Sequence, residues 1–328
     1  MKKILILSPG HQVYLVDLFK KYFEVYIGDR NNWVLATYKN IISIKMPSYS
    51  SAEYIETLIS FIDNQKIDYV LTLSDVEVVI LSKNKDIIES IGCTLIGLPY
   101  EKALICLDKY LFYEYLKANG LATPLTYINI NKLKWDLSLG KIIYPIIAKD
   151  RWGMGSRGLS ILHSDDELDM YYNINNVSFP SFLGEVRDKK RGIIFQELLS
   201  SNEYGMDIIN DLNGNYQLCV IKKKIEMRGG ETDVAEIVSF PEAENLAQKL
   251  SILFQHRGNM DCDFIEIRGE LYVIDMNPRF GGGYMFTEAA GINVPKLFSE
   301  WINHQQNSSM NIEHLGSKYR KITSLIEI

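Results

Sequence analysis

The sequence predicts an α/β protein: an N-terminal doubly wound parallel sheet, followed by a part that mixes helices with antiparallel strands. Residues 1 to about 100 alternate short β-rich runs with longer amphipathic ones, the order that produces parallel strands joined by crossover helices. From residue 193 onward, strand-like runs follow one another closely, and "LNGN" between two of them is a hairpin-turn signal. Hydrophobic residues are 47% and charged residues 23% of the 328, an ordinary globular composition with chain enough for two or three domains.

Each element has its own signal. "KILIL", "FEVYIG", "DYVLTL" and "CTLIG" read as strands of the first sheet, and "VYLVDLFKKY" and "SAEYIETLISFIDNQK" as its helices. Ligands of such sheets bind beyond the strand C-termini, here near Ser8-Pro9-Gly10-His11, Asp29 and Ser74-Asp75. A helix starts at Asp108 and is closed by Gly120 and Pro124. "YPIIAKDRWGMGSRGLSIL" is a strand, a glycine-rich loop and a second strand. "IIFQELL", "EYGMDIIND" and "YQLCVIKKKIEM" read as paired antiparallel strands; alternate lysines of the last point to opposite faces, as on a solvated strand. A helix around "PEAENLAQKLSILFQHRG" leads into two strands joined at Arg268-Gly269. A helix near 293–304, a polar stretch and a short tail end the chain.

Composition also excludes classes of function. The net charge is −6 with no long basic cluster, which gives nucleic acid or an anionic membrane no electrostatic purchase. "MKKILILSPG" starts like a signal peptide, but its apolar run stops at Ser8. No stretch approaches bilayer length. Cys93, Cys106, Cys219 and Cys262 are scattered, without disulfide or zinc spacing, so a cytoplasmic location is expected.

The sharpest chemical signal is "MDCDFIEIRGELYVIDMNPRFGGGY". In a tight hairpin Asp263 and Asp275 face each other, and Asn277 shares their face. Three oxygen ligands suit Mg2+, and Arg279 continues the face toward a phosphoryl group or a carboxylate. An edge strand carrying charges for solubility would look similar. Gly153, Gly155 and Gly158, with Ser156 among them, make either a phosphate-cradling loop or a flexible hairpin loop. Lys149, just before it, is a counter-charge for phosphate or a solvated strand end. Glu197 and Glu203 are surface carboxylates or a nucleoside clamp. In the clamp, the Leu198-Leu199 backbone meets adenine and Glu203 the ribose. Arg228, before Gly229-Gly230, could reach a γ-phosphate from a lid.

In order, "DKYLFYEYLKANGLATP", "IIAKDRWGMGSRG", "FQELLSSNEYGMD", "MRGGE", "MDCDFIEI" and "VIDMNPRFGGG" resemble the ATP-grasp superfamily, with a likeness to the carbamoyl-phosphate synthase large subunit and to stand-alone carboxylate–amine ligases. The resemblance implies a Rossmann-like domain over 1–100 and a two-lobed α+β ATP-grasp unit. Its first lobe, with the glycine-rich loop, spans 101–192; its second, with the Mg·ATP site and tail, spans 193–328. It implies ATP as substrate, with Mg2+ or in its place Mn2+, held by Asp263, Asp275 and Asn277. Lys109 and Lys149 would meet phosphates and Arg279 and Arg228 the acyl phosphate. Aspartate stands at 275 where the family often has glutamate, and at 263 where it has glutamate or glutamine. The implied reaction joins a small-molecule carboxylate to an amine, with a homodimer as the assembly. A non-amine acceptor, bicarbonate, or nucleotide binding without turnover are the alternatives.

Overall fold

The run "KILIL" is apolar without alternation because both of its faces are covered. A computed structural model of the chain describes residues 1–153, 158–175, 189–305, 310–322 and 325–327. In it β1 (Lys3–Leu7) is the middle of a five-stranded parallel sheet with β2 (Glu24–Asp29), β3 (Ser43–Lys45), β4 (Tyr69–Thr72) and β5 (Thr94–Leu95), ordered β3-β2-β1-β4-β5. Ile4 and Ile6 pack with Phe19, Phe280 and Phe298, whereas Leu5 and Leu7 pack with Tyr54, Leu58 and Ile62. Several elements had no signal, among them β3 and the helix Asp75–Lys83. β3 is a short edge strand with two of its three residues exposed. The helix Asp75–Lys83 is buried along Glu77–Ser82, so it lacks an amphipathic period.

The middle segment begins with the helix Lys109–Ala118, capped by Asp108, whose carboxylate accepts from Tyr110 N at 3.0 Å and Leu111 N at 3.1 Å. An antiparallel sheet follows: β6 (Thr126–Tyr127), β7 (Ile146–Asp150), β8 (Ser160–Leu162) and β9 (Ile193–Glu197), ordered β6-β9-β7-β8. Here the structure corrects the sequence reading. β9 does not pair with the strands that follow it; it pairs with β6 and β7, so this sheet runs to Glu197, past 192. Ile193 and Phe195 point into a small core with Leu133 and Ile146, a choice of partner that strand propensity does not encode.

The third sheet is antiparallel: β10 (Glu203–Asn210), β11 (Tyr216–Arg228), β12 (Glu231–Val238), β13 (Gly258–Ile267), β14 (Glu270–Asn277) and β15 (Lys318–Arg320), ordered β14-β13-β10-β11-β12-β15. β13 and β14 turn on Arg268 and Gly269, both left-handed at φ 53° and 85°, as a two-residue hairpin requires. The tail supplies β15, pairing Tyr319 with Ala235. Phe19 of the first domain meets Phe280 edge-on at 5.7 Å, so the first domain and this sheet share one core. No described helix is long and apolar enough to cross a membrane.

His256 is buried beneath this sheet; its Nε2 lies 3.0 Å from Ile208 O, and burial pushes its pKa down to about 4. The unfolded chain binds this proton from about pH 6.5 and the folded one only near 4, so stability falls as pH drops through that window. The loss is expected to reach roughly 3 kcal/mol. Denaturant unfolding at pH 7 and pH 5 should show a smaller drop for His256→Gln than for the parent; equal drops would discard the assignment.

Candidate active site

Strand alternation gathers the charged residues on one face of the six-stranded sheet. Across β13 and β14, Asp263 stands opposite Asp275 and Asp261 opposite Asn277, as expected for the first pair; the register shifts just after Asp263. Residues two apart share a face, so these four side chains project together. On the neighbouring β10, Gly205 lies opposite both Asp263 and Lys222. A Cβ there would crowd Asp263 Oδ1 and Lys224 Cε, each at 3.4 Å. The missing side chain leaves Lys224 free to cross β10 and meet Asp263 Oδ1 at 2.7 Å and Glu203 Oε1 at 2.6 Å. Burial lowers the Lys224 pKa, but Asp263 and Glu203 outweigh it, and the net shift is upward.

Lys222 is 2% exposed and Asp207 0%, and their charges meet at 2.6 Å. Asp207 also accepts from Asn259 Nδ2 at 2.9 Å and from the Thr287 hydroxyl. The reading of "KKK" as solvated is therefore wrong for Lys222 and Lys224. The alternation was right; which face is covered depends on what packs there. A usable signal was present in "EYGMD", whose Glu203 and Asp207 put two acids on one strand face opposite them.

The four-stranded sheet contributes the cations opposite. Lys149, on β7, donates to Gln196 Oε1 at 2.8 Å. Burial, then the charge of Lys109, push its pKa down to about 8. Arg151 Nε donates to Asp108 at 2.7 Å, tying the start of the glycine-rich loop to the helix N-terminus and placing Lys109 Nζ 2.7 Å from Gly153 O. Glu197 fastens β9 to the chain before β6: its carboxylate accepts from Leu125 N at 3.3 Å and its N–H donates to Leu125 O at 2.9 Å. Leu198 and Leu199 follow, outside any strand and beside the cleft.

The first domain contributes Asp75. Its Oδ2 accepts from Arg279 Nη2 at 2.9 Å, and its Oδ1 lies 2.7 Å from Nε as an ion pair without hydrogen-bond alignment, between residues 204 apart in sequence. Burial works against the Arg279 charge, but Asp75, Asp261 and Asp275 raise its pKa. Burial would raise the Asp275 pKa; Lys109, Lys149 and Arg279 together lower it below the usual carboxylate value. Asp261 goes the other way, pushed up to about 7 by burial and then by Asp263 and Asp207.

These residues line one cleft of about 560 Å3, the size range of small-molecule sites. It holds Lys109, Lys149, Gly153, Glu197, Leu198, Leu199 and Glu203 together with Asp263, Asp275, Asn277 and Arg279. Gly155 and Ser156 lie outside the described residues. Gly158 is left-handed (φ 71°) beside Asp150 and does not line the cleft. Arg228 sits exposed at the β11–β12 hairpin and does not itself line the cleft, although Met227, Gly230 and Glu231 beside it do. Asp207, Lys222, Lys224, Gln196, Glu231 and Asp261 were not singled out from sequence.

The arrangement fits Mg·ATP. Lys149 is a buried ammonium resting on a neutral amide, with a second lysine near, and phosphate would supply the missing counter-charge. Facing it are two carboxylates and an amide on one sheet face, a hard-oxygen donor set. Among the described residues no three acidic, imidazole or thiol side chains converge, so Asn277 is needed to make a third ligand.

Residues 4–96 match a PylC-like N-terminal domain. The large chain of carbamoyl phosphate synthase from Clostridium beijerinckii is 24% identical over 240 residues, covering 68% of this chain and 21% of that protein. The chain thus spans about a fifth of that relative's length. Among solved structures, the biotin carboxylase domain dimer of Hydrogenobacter thermophilus 2-oxoglutarate carboxylase, complexed with MgADP, ADP and bicarbonate, superposes with a TM-score of 0.73 at 17% identity, over 97% of this chain and 73% of that one. An L-amino acid ligase from Bacillus licheniformis gives 0.67 at 17%, over 92% and 74%. At such identities the likeness is one of fold. Residues 106–283, more than half of the chain, match the ATP-grasp domain, and the chain belongs to the ATP-grasp family.

Proposed function

We propose that the chain is an ADP-forming ligase that activates a small-molecule carboxylate as an acyl phosphate and joins it to an amine. The observation that carries this is the meeting, in one cleft, of Lys109 and Lys149 with the Asp263, Asp275 and Asn277 face and with Arg279. In this reading the lysines hold the ATP phosphates, Leu198-Leu199 meet the adenine edge and Glu203 the ribose. Magnesium held by Asp263, Asp275 and Asn277 would offset charge on the phosphate oxygens. Arg279, fixed by Asp75, orients the carboxylate. A carboxylate oxygen attacks the γ-phosphorus and ADP leaves. The amine nitrogen then attacks the acyl carbon, the C–O bond to phosphate breaks, and phosphate and a proton depart.

The test is ADP release with Mg·ATP across carboxylates (amino acids, sugar acids, bicarbonate), with and without a pool of amines, and products identified by mass. ADP that requires both partners, with a product mass of their sum less water, is the expected result. Release with bicarbonate and no amine would favour a carboxylating reaction, the activity class of the carboxylase that shares the fold. No release with any pair would refute the ligase reading.

Lys149 adds a further prediction. With its pKa near 8, nucleotide binding at pH 8 should take up roughly half a proton as the phosphates restore its charge. Calorimetry in buffers of different ionisation heat measures this directly. Zero uptake, or uptake unchanged in Lys149→Met, would remove Lys149 from the phosphate contacts.

A further inference from the structure

Asp261 lines the cleft, yet no side chain among the described residues pairs with it by hydrogen bond or ion pair. Of the acids near it, Asp75 has Arg279 at 2.7 Å, Asp207 has Lys222 at 2.6 Å, Glu231 has Lys321 of the tail at 3.2 Å, and Asp263 shares Lys224 with Glu203. Arg279 and Lys222 reach Asp261 only through space: Arg279 is held in contact with Asp75 and donates Nη1 to Phe280 O, and Lys222 is held by Asp207. Asp261 is left without a cation in contact among the described residues.

Space for that carboxylate is built into the chain. A Cβ on Gly281 would lie 2.3 Å from Asp261 Cγ, a distance no packing tolerates. Glycine at 281 is therefore what lets the carboxylate stand where it does. At the other end of the cleft the sign is opposite: Lys109 and Lys149 rest on neutral oxygens, Gly153 O and Gln196 Oε1. Along β13 the order from the Glu203 end is Ile265, Asp263, Asp261, so Asp261 lies one same-face step, roughly 7 Å, beyond the proposed metal ligand. The cleft is polarised along its length, cationic where phosphates would lie and anionic past them.

We infer that Asp261 is a specificity residue for the acceptor: it binds the incoming amine as an ammonium, which gives a proton to solvent before its nitrogen attacks the acyl carbon, and so favours cationic primary amines over uncharged nucleophiles. The inference rests on the ligase reading, and it deepens it by assigning the charge of the second substrate.

The test compares acceptors of opposite charge on the full chain, with the carboxylate found by the ADP-release panel. Methylamine, ethanolamine and putrescine are cationic at neutral pH; hydroxylamine and methoxyamine are uncharged and trap an acyl phosphate as a hydroxamate. The readout is the ratio of kcat/KM for each alkylamine to that for hydroxylamine. Asp261→Asn is expected to lower this ratio roughly 10–100-fold, the weight of a hydrogen bond to a charged group. Gly281→Ala, which forces the carboxylate aside without removing it, should lower it in the same direction. An unchanged ratio in Asp261→Asn overturns the inference. So does a loss shared equally by both acceptor classes with a raised Mg2+ requirement, which would place Asp261 among the metal ligands. If the unmodified protein forms neither hydroxamate nor ADP with any carboxylate, the ligase reading fails first and takes the inference with it. Hydroxamate formation with no preference between acceptor classes sinks the inference alone.

Discussion

Replacing Asp275 with alanine is expected to lower ADP-forming turnover by roughly a thousandfold while the protein stays folded. Asp275 lies opposite Asp263, two residues before the end of β14, and three cations act on it: Lys109, Lys149 and Arg279. Burial alone would favour its neutral form, but those charges hold it ionised, with a pKa below the ordinary carboxylate value. By linkage, its contribution to stability is present above the unfolded carboxylate pKa and is lost as pH falls through the lower folded one. In the proposed reaction this carboxylate would be a magnesium ligand, so its removal acts on the transition state for phosphoryl transfer more than on nucleotide binding. Asp275→Asn keeps the shape and removes the charge, and should lose nearly as much. The check is steady-state ADP release beside nucleotide affinity for both variants. Turnover within tenfold of the parent would dismiss the metal role.

The largest effect on stability is expected at Asp207. It is fully buried, and its acceptors are all in use: Lys222 Nζ at 2.6 Å, Asn259 Nδ2 at 2.9 Å and the Thr287 hydroxyl. These partners come from β11, β13 and the helix Tyr284–Ala289, so one carboxylate joins three elements around the glycines at 281–283. Asp207→Ala leaves the Lys222 ammonium buried without a counter-charge and should cost about 3–5 kcal/mol. The double variant Asp207→Leu with Lys222→Met removes both charges and should unfold later in denaturant than either single variant. A single-variant loss below about 1 kcal/mol would mean that water reaches the site and screens the pair.

How much of this site could be read in advance depends on the range over which each contact acts. The hairpin itself was legible in the turn at Arg268-Gly269, but that turn's register puts Asp263 opposite Ile274, and only the shift between Phe264 and Asp263 brings Asp275 there. The helix start at Asp108 was legible because a cap is a contact between near neighbours. Lys222 and Lys224 were not, because alternation separates two faces without saying which one another sheet covers. Where Arg228 falls along the sheet was not legible, because a motif's order does not carry the length of a strand. β9 was assigned to the wrong neighbours because an apolar strand is compatible with several partners.

Strand–helix alternation, apolar runs buried on both faces, turn glycines and the donor set of "DMNPR" are properties of the chain within about a dozen residues, and steric and hydrogen-bonding rules settle them there. Docking decided the rest. Arg279 meets Asp75 only because Phe19 of the first domain packs on Phe280 of the last, and Asp261 is left unpaired only because its neighbours are each claimed by a different element. Such pairings join residues far apart in sequence, and the free energy that selects them comes from surfaces that exist only once the sheets have come together.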